Sequence, residues 1–159
     1  MPKSRITLFW SYSHADAAAA VQLAALLKSR LAVGKNFETV AWMDTVLLPG
    51  EGWRNEIDGA LANCDGGIVL VSPDMLNSDF IKNVELKALV DAGKPIIPLM
   101  LECVDFDRMD LGALAPLQVF TYGAPTKSQA FTQTSPRRDF ADEAFRAIYD
   151  RLEKEFGHV

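Results

Sequence analysis

Short apolar runs alternate with stretches of helical period along the whole chain, and that alternation restricts the fold more than any other feature. Residues 6–10, 40–43, 68–71 and 96–101 are almost wholly apolar, the pattern of strands buried on both faces of a parallel sheet. Between and after them, apolar residues recur at three- and four-residue intervals. Val21, Ala24, Leu27 and Leu31 mark one face of a helix over residues 15–31, and Trp53, Ile57, Ala60, Leu61 and Cys64 do the same over 51–64. The period returns over 79–92, and Phe145, Ile148, Leu152 and Phe156 turn a last helix over 139–156 toward the core. Residues 117–122 offer a fifth strand, 110–113 a short helix, and 123–136 a polar surface loop. Pro98 lies inside the fourth run and has no N–H to give to a ladder, which counts against a fully paired central strand there.

Strands that alternate with helices pair in parallel, through right-handed crossovers that place helices on both faces. The expected fold is α/β, a flavodoxin-like three-layer sandwich with a five-stranded parallel sheet in the order 2-1-3-4-5. A length of 159 residues suits a single domain over 1–159, with its core at about 5–156. The net charge of −5, with no clustered basic stripe, disfavours binding to a nucleic-acid backbone. Cys64 and Cys103 lie far apart in apolar surroundings, with no CxxC and no neighbouring histidines. They read as small buried hydrophobes in a reducing compartment, not as a disulfide or a metal site. No apolar run is long enough to span a bilayer, so the expectation is a cytoplasmic protein without membrane contact.

In the order 2-1-3-4-5 the connections change direction between strands one and three, so a ligand crevice opens beyond their carboxyl ends, at Ser11-Tyr12-Ser13 and Ser72-Pro73. A phosphorylatable receiver needs acidic residues there and a lysine after its last strand, and this chain has neither. The segment after strand one lacks the glycine that a phosphate-binding loop uses, and no GxGxxG or Walker motif occurs. The third helix carries the residue of interest. Stepping about 100° per residue from Ile81 puts Glu85 at roughly 40°, inside the arc of Val84, Ala88, Leu89 and Ala92. A carboxylate on the sheet-facing stripe is partly desolvated and can present an oxygen to the crevice. Spacing alone leaves two alternatives, a helix-edge carboxylate that reaches solvent or an arginine, and a site carboxylate, and it favours the first. His14 reads as a loop hydrogen bonder and Asp16 as a cap of the first helix.

Taken together, three boxes resemble the Toll/interleukin-1 receptor (TIR) domain of the bacterial kind over roughly residues 5–156. The first is Phe9-Trp10-Ser11-Tyr12-Ser13-His14-Ala15-Asp16, similar to the family's first-strand signature. The second runs from Asp44 through Pro49-Gly50-Glu51-Gly52-Trp53 to Ile57, Ala60 and Leu61, similar to its BB loop and the helix beyond. The third is Val69-Leu70-Val71-Ser72-Pro73 with Ser78-Asp79-Phe80 and Glu85-Leu86. Pro98 resembles the Ile-Pro pair of the family's fourth strand.

The resemblance implies an NAD+ glycohydrolase (NADase) with Glu85 as its catalytic carboxylate, and NAD+ as substrate with no further cofactor and no metal. Ser11, Tyr12, Ser13, Asp44, Trp53, Ser78, Phe80 and Ile81 are then the binding residues. Many members carry a tryptophan where Ile81 stands, so either Phe80 or an aromatic such as Trp53 stacks on the nicotinamide. One carboxylate can suffice, because nicotinamide leaves NAD+ as a neutral base and needs no general acid. The family also implies partners: other TIR domains, through self-association by residues 45–52, and a fused or separate sensor, in bacterial immune defence and signalling. The alternative it leaves is a non-enzymatic TIR–TIR signalling adaptor.

Overall fold

A computed structural model describes residues 3–43 and 53–157, and the alternation is realised there as strand β1 (Ser4–Ser11), helix α1 (Ala17–Leu31), β2 (Phe37–Met43), α2 (Trp53–Asn63), β3 (Gly66–Val71), α3 (Pro73–Leu76), a π-helical turn (Ile81–Leu86) running into α4 (Lys87–Asp91), β4 (Ile96–Met100) and α5 (Arg137–Phe156). Short 3-10 turns at His14–Asp16, Gly112–Leu114 and Phe131–Gln133 join them. The described strands form one parallel sheet in the order β2-β1-β3-β4. Among the described residues no helix is long and apolar enough to cross a membrane.

Side chains alternate across the sheet and so divide the core in two. Ile6, Leu8, Trp10, Ile68, Leu70, Ile97 and Leu99 pack against α1 and α5 through Leu23, Leu27, Phe140, Ala144 and Ile148. Phe9, Val69, Val71, Ile96 and Met100 pack on the other face with Ile57, Leu61, Leu86 and Leu89. Every residue of β3 is buried, as a central strand requires. Close approach also explains Gly67: a β-carbon there would lie 2.6 Å from the Leu89 methyl of α4 and 3.4 Å from the Phe9 carbonyl oxygen. Gly67→Ala is therefore expected to destabilise the protein by about 1–3 kcal/mol, read as a lower urea midpoint with an unchanged slope. An unchanged midpoint would mean that Leu89 moves aside without loss.

The expected fifth strand is reduced to a single bridge. Phe120 lies beside Leu99 in the parallel sense, its N–H donating to the Pro98 carbonyl at 2.8 Å and its carbonyl accepting from the Met100 N–H at 2.9 Å. The next bond toward the start of the strand would need an N–H on residue 98, and proline has none. Beyond Phe120, the Tyr122 N–H turns to the Gln129 carbonyl instead. The ladder is cut on both sides, and among the described residues the sheet has four strands. The same geometry explains how Pro98 sits in β4 opposite Val69, because its missing donor faces away from β3.

Other expectations change at the edges of the core. Val21 is 49% exposed, and Phe145 and Phe156 are half-buried, while Phe140, Ala141 and Ala144 carry the inner face of α5. Residues 123–136 are not merely a surface loop: Ala130 and Phe131 are fully buried, and Phe131 packs edge-on against Phe140 at 5.6 Å. Cys64 is buried as expected, but Cys103 is exposed.

Candidate functional site

β1 and β3 lie side by side, with Ser11 in register with Val69, so their carboxyl ends open at the same level. There the Ser11 hydroxyl donates to Oε1 of Glu85 at 2.7 Å. Both residues are withdrawn from solvent, Ser11 at 1% and Glu85 at 7% exposure. Glu85 comes from the π-helical turn beyond α3. Ile81, Leu86 and Leu89 anchor that segment in the second core, and the Ser78 hydroxyl accepts from the Ile81 N–H at 3.3 Å at its start. Helical period puts Glu85 on the buried stripe, and it is buried. The winding differs, since residues Ile81–Leu86 form a π turn, wider than an α turn and frequent at functional sites.

A second serine–carboxylate pair lies at the same end of the sheet. Ser72, fully buried just beyond β3, donates its hydroxyl to Oδ2 of Asp16 and accepts from the Met75 N–H at 3.0 Å, capping α3. Asp16 occupies the N-cap position of α1 but makes no capping hydrogen bond, so its expected role is corrected. Burial holds the Asp16 carboxyl above its ordinary 3.8; the Ser72 bond lowers it, and Asp74 of α3 and Glu102 beyond β4 raise it further. A carboxyl raised in the folded state favours folding when protonated. That contribution is present below the ordinary carboxylate range and is lost as pH rises through the folded pKa. Asp16→Asn should therefore gain stability relative to the parent as pH rises from about 4 to 7. Urea midpoints of the two proteins across that range test this, and a constant difference would contradict it.

Of the other sequence-predicted residues, the structure describes Tyr12, Ser13, Ser78, Phe80 and Ile81. Tyr12 is buried in the first core, its ring 5.9 Å from that of exposed His14. Ser13 is half-buried and caps the 3-10 turn, accepting from the Ala15 N–H at 3.3 Å. Phe80 is half-buried against the second core, with the Arg54 guanidinium 5.6 Å above its ring, while Ile81 belongs to that core outright. Trp53 opens α2, but its side chain lies outside the described residues, as do Asp44 and the whole of 45–52. Sequence reasoning missed the Asp16–Ser72 pair. The only signal in the chain was Ser72 before Pro73, a helix-start signature that says nothing of a distant carboxylate.

A family model for the TIR domain matches residues 8–134. An uncharacterized protein of Sinorhizobium fredii, designated y4lF, is 28% identical over 158 residues, covering 96% of this chain and 44% of its own length. A metazoan TIR-STING receptor from C. gigas superposes with a TM-score of 0.55 at 22% identity, over 89% of this chain and 39% of the receptor. The chain thus spans less than half the length of either relative. The receptor's likeness concerns the fold.

Proposed function

Because this chain belongs to the TIR domain family, we propose that it cleaves the bond between nicotinamide and ribose in NAD+, with Glu85 as the catalytic carboxylate. The observation that carries this reading is the buried hydrogen bond from Ser11 to Glu85 at the crevice between β1 and β3. A scaffold gains nothing by holding a carboxylate on a sheet-facing helical stripe, where burial penalises its charge. A carboxylate held there by a serine is suited to face a cation that forms during reaction.

In the proposed reaction the N1–C1′ bond breaks with its electron pair going to the nicotinamide nitrogen. The ribose carbon left behind is an oxocarbenium ion, and the fixed charge of Glu85 stabilises it. Water adds to that carbon and releases a proton, giving ADP-ribose; attack by an adenine nitrogen gives a cyclic ADP-ribose instead. Glu85 keeps its charge throughout, so no second carboxyl is needed. In this reading Ser11, Tyr12, Ser13 and Ser78 would bind the ribose hydroxyls, and Ile81 would supply an apolar contact. Phe80 or Trp53 would stack on the nicotinamide, and Asp44 would complete the rim from the end of β2. Arg54, above Phe80, places a positive charge suited to the diphosphate.

Self-association through residues 45–52 is the proposed trigger, with a fused or separate sensor supplying it, in cytoplasmic bacterial immune signalling. Incubating the purified domain at high concentration with NAD+ and separating the products tests the reading. Nicotinamide in equal amount to ADP-ribose or its cyclic form is expected. Self-association with no nicotinamide release would leave the chain a signalling adaptor.

A further inference from the structure

Two serine–carboxylate hydrogen bonds cross the crevice in opposite senses. Ser11, the last residue of β1, reaches Glu85 on the π-helical turn beyond α3; Ser72, just after β3, reaches Asp16 on the turn that follows β1. Each strand end is tied to the segment that leaves the other. The second tie gives the fully buried Ser72 hydroxyl an acceptor, but it draws that acceptor from 56 residues away. Asp16 stands where a helix cap would take an α1 amide, yet it forgoes that bond for Ser72. Its carboxylate is also partly buried near Asp74 and Glu102, which works against its charge. What the tie does supply is a fixed link between the turn after β1 and the end of β3, the two strands whose ends lie beside the Ser11–Glu85 contact.

We propose that Asp16 and Ser72 are positioning residues for Glu85, their hydrogen bond fixing the turn after β1 against the start of α3, the segment that leads to Glu85, at the separation at which Ser11 meets the carboxylate. This rests on Glu85 being the carboxylate that cleaves NAD+. Misplacing a reacting group by about 1 Å can cost on the order of 100-fold in rate, so a brace that touches no substrate still controls turnover. The hydroxyl needs an acceptor at position 16, and an amide oxygen provides one without the charge.

The test is steady-state nicotinamide release by the parent, Asp16→Ala, Asp16→Asn, Ser11→Ala and the Asp16→Ala/Ser11→Ala double variant, each normalised to the folded fraction from circular dichroism. Ser72→Ala is avoided because Ser72 also caps α3. Asp16→Ala should lower kcat by about tenfold or more with KM changed by less than about threefold, since it disturbs geometry and not substrate contacts. Asp16→Asn should restore most of kcat. The double variant should be no slower than Ser11→Ala alone, because both act on one contact. An unchanged kcat in Asp16→Ala, an equal loss in Asp16→Asn, or additive losses in the double variant would each overturn the brace while leaving Glu85 in place. No nicotinamide release by the parent, or undiminished release by Glu85→Gln, would overturn the reading of Glu85 and the brace with it.

Discussion

Glu85→Gln is expected to lower NAD+ cleavage by at least about 100-fold while the protein stays folded, the scale of losing one fixed electrostatic partner of a transition state. The amide keeps the size of the side chain and still offers an oxygen to the Ser11 hydroxyl, while the charge is removed. Glu85→Ala should be as inactive but is the less clean variant. It relieves a buried carboxylate, yet it strands a Ser11 hydroxyl that is 1% exposed, at about 1–3 kcal/mol. A melting temperature close to the parent's, with kcat lost and KM for NAD+ nearly unchanged, is the pattern of a group that acts in the transition state. A glutamine variant that turns over at the parent's rate would remove Glu85 from the chemistry.

The second large effect is expected at Leu48. Val46, Leu47 and Leu48 are adjacent apolar residues in a short segment with Pro49, Gly50 and Gly52, and soluble monomers seldom leave such a run in water. If the run docks on a neighbouring copy, Leu48→Asp places a charge in that contact. A loss of about 2 kcal/mol would weaken association by roughly 30-fold. Turnover per molecule of the parent should then rise with protein concentration, and that of Leu48→Asp should stay low over the same range. Light scattering on both proteins separates lost association from lost chemistry. A specific activity independent of dilution and of this substitution would show that a single copy holds a complete site.

How far the fold could be read from the chain depended on how local each cause was. The apolar arc of Ile81, Val84, Ala88, Leu89 and Ala92 made a buried Glu85 one of two readings of the sequence, and burial is the one the structure shows, although the segment winds as a π turn. Its partner was not legible, since Ser11 lies 74 residues away and only the side-by-side placement of β1 and β3 brings them together. Pro98 was legible as a missing donor, but its orientation was not. The gap faces Phe120 and ends the outer ladder there, leaving the pairing with β3 whole. Phe131 was hidden by polar neighbours, and only tertiary packing against Phe140 shows it as core. Asp16 followed the rules of a helix cap in sequence, and a serine 56 residues away took its side chain instead.

Proton NMR of NAD+ with the parent protein at high concentration tests the central claim most directly, because bound and released nicotinamide give distinct signals without any coupled reagent. The expected result is a nicotinamide signal that grows with time as the NAD+ signal falls, with Glu85→Gln at the same folded concentration flat beside it. An NAD+ spectrum that stays unchanged with the parent, or that decays equally with Glu85→Gln, would contradict cleavage by this carboxylate.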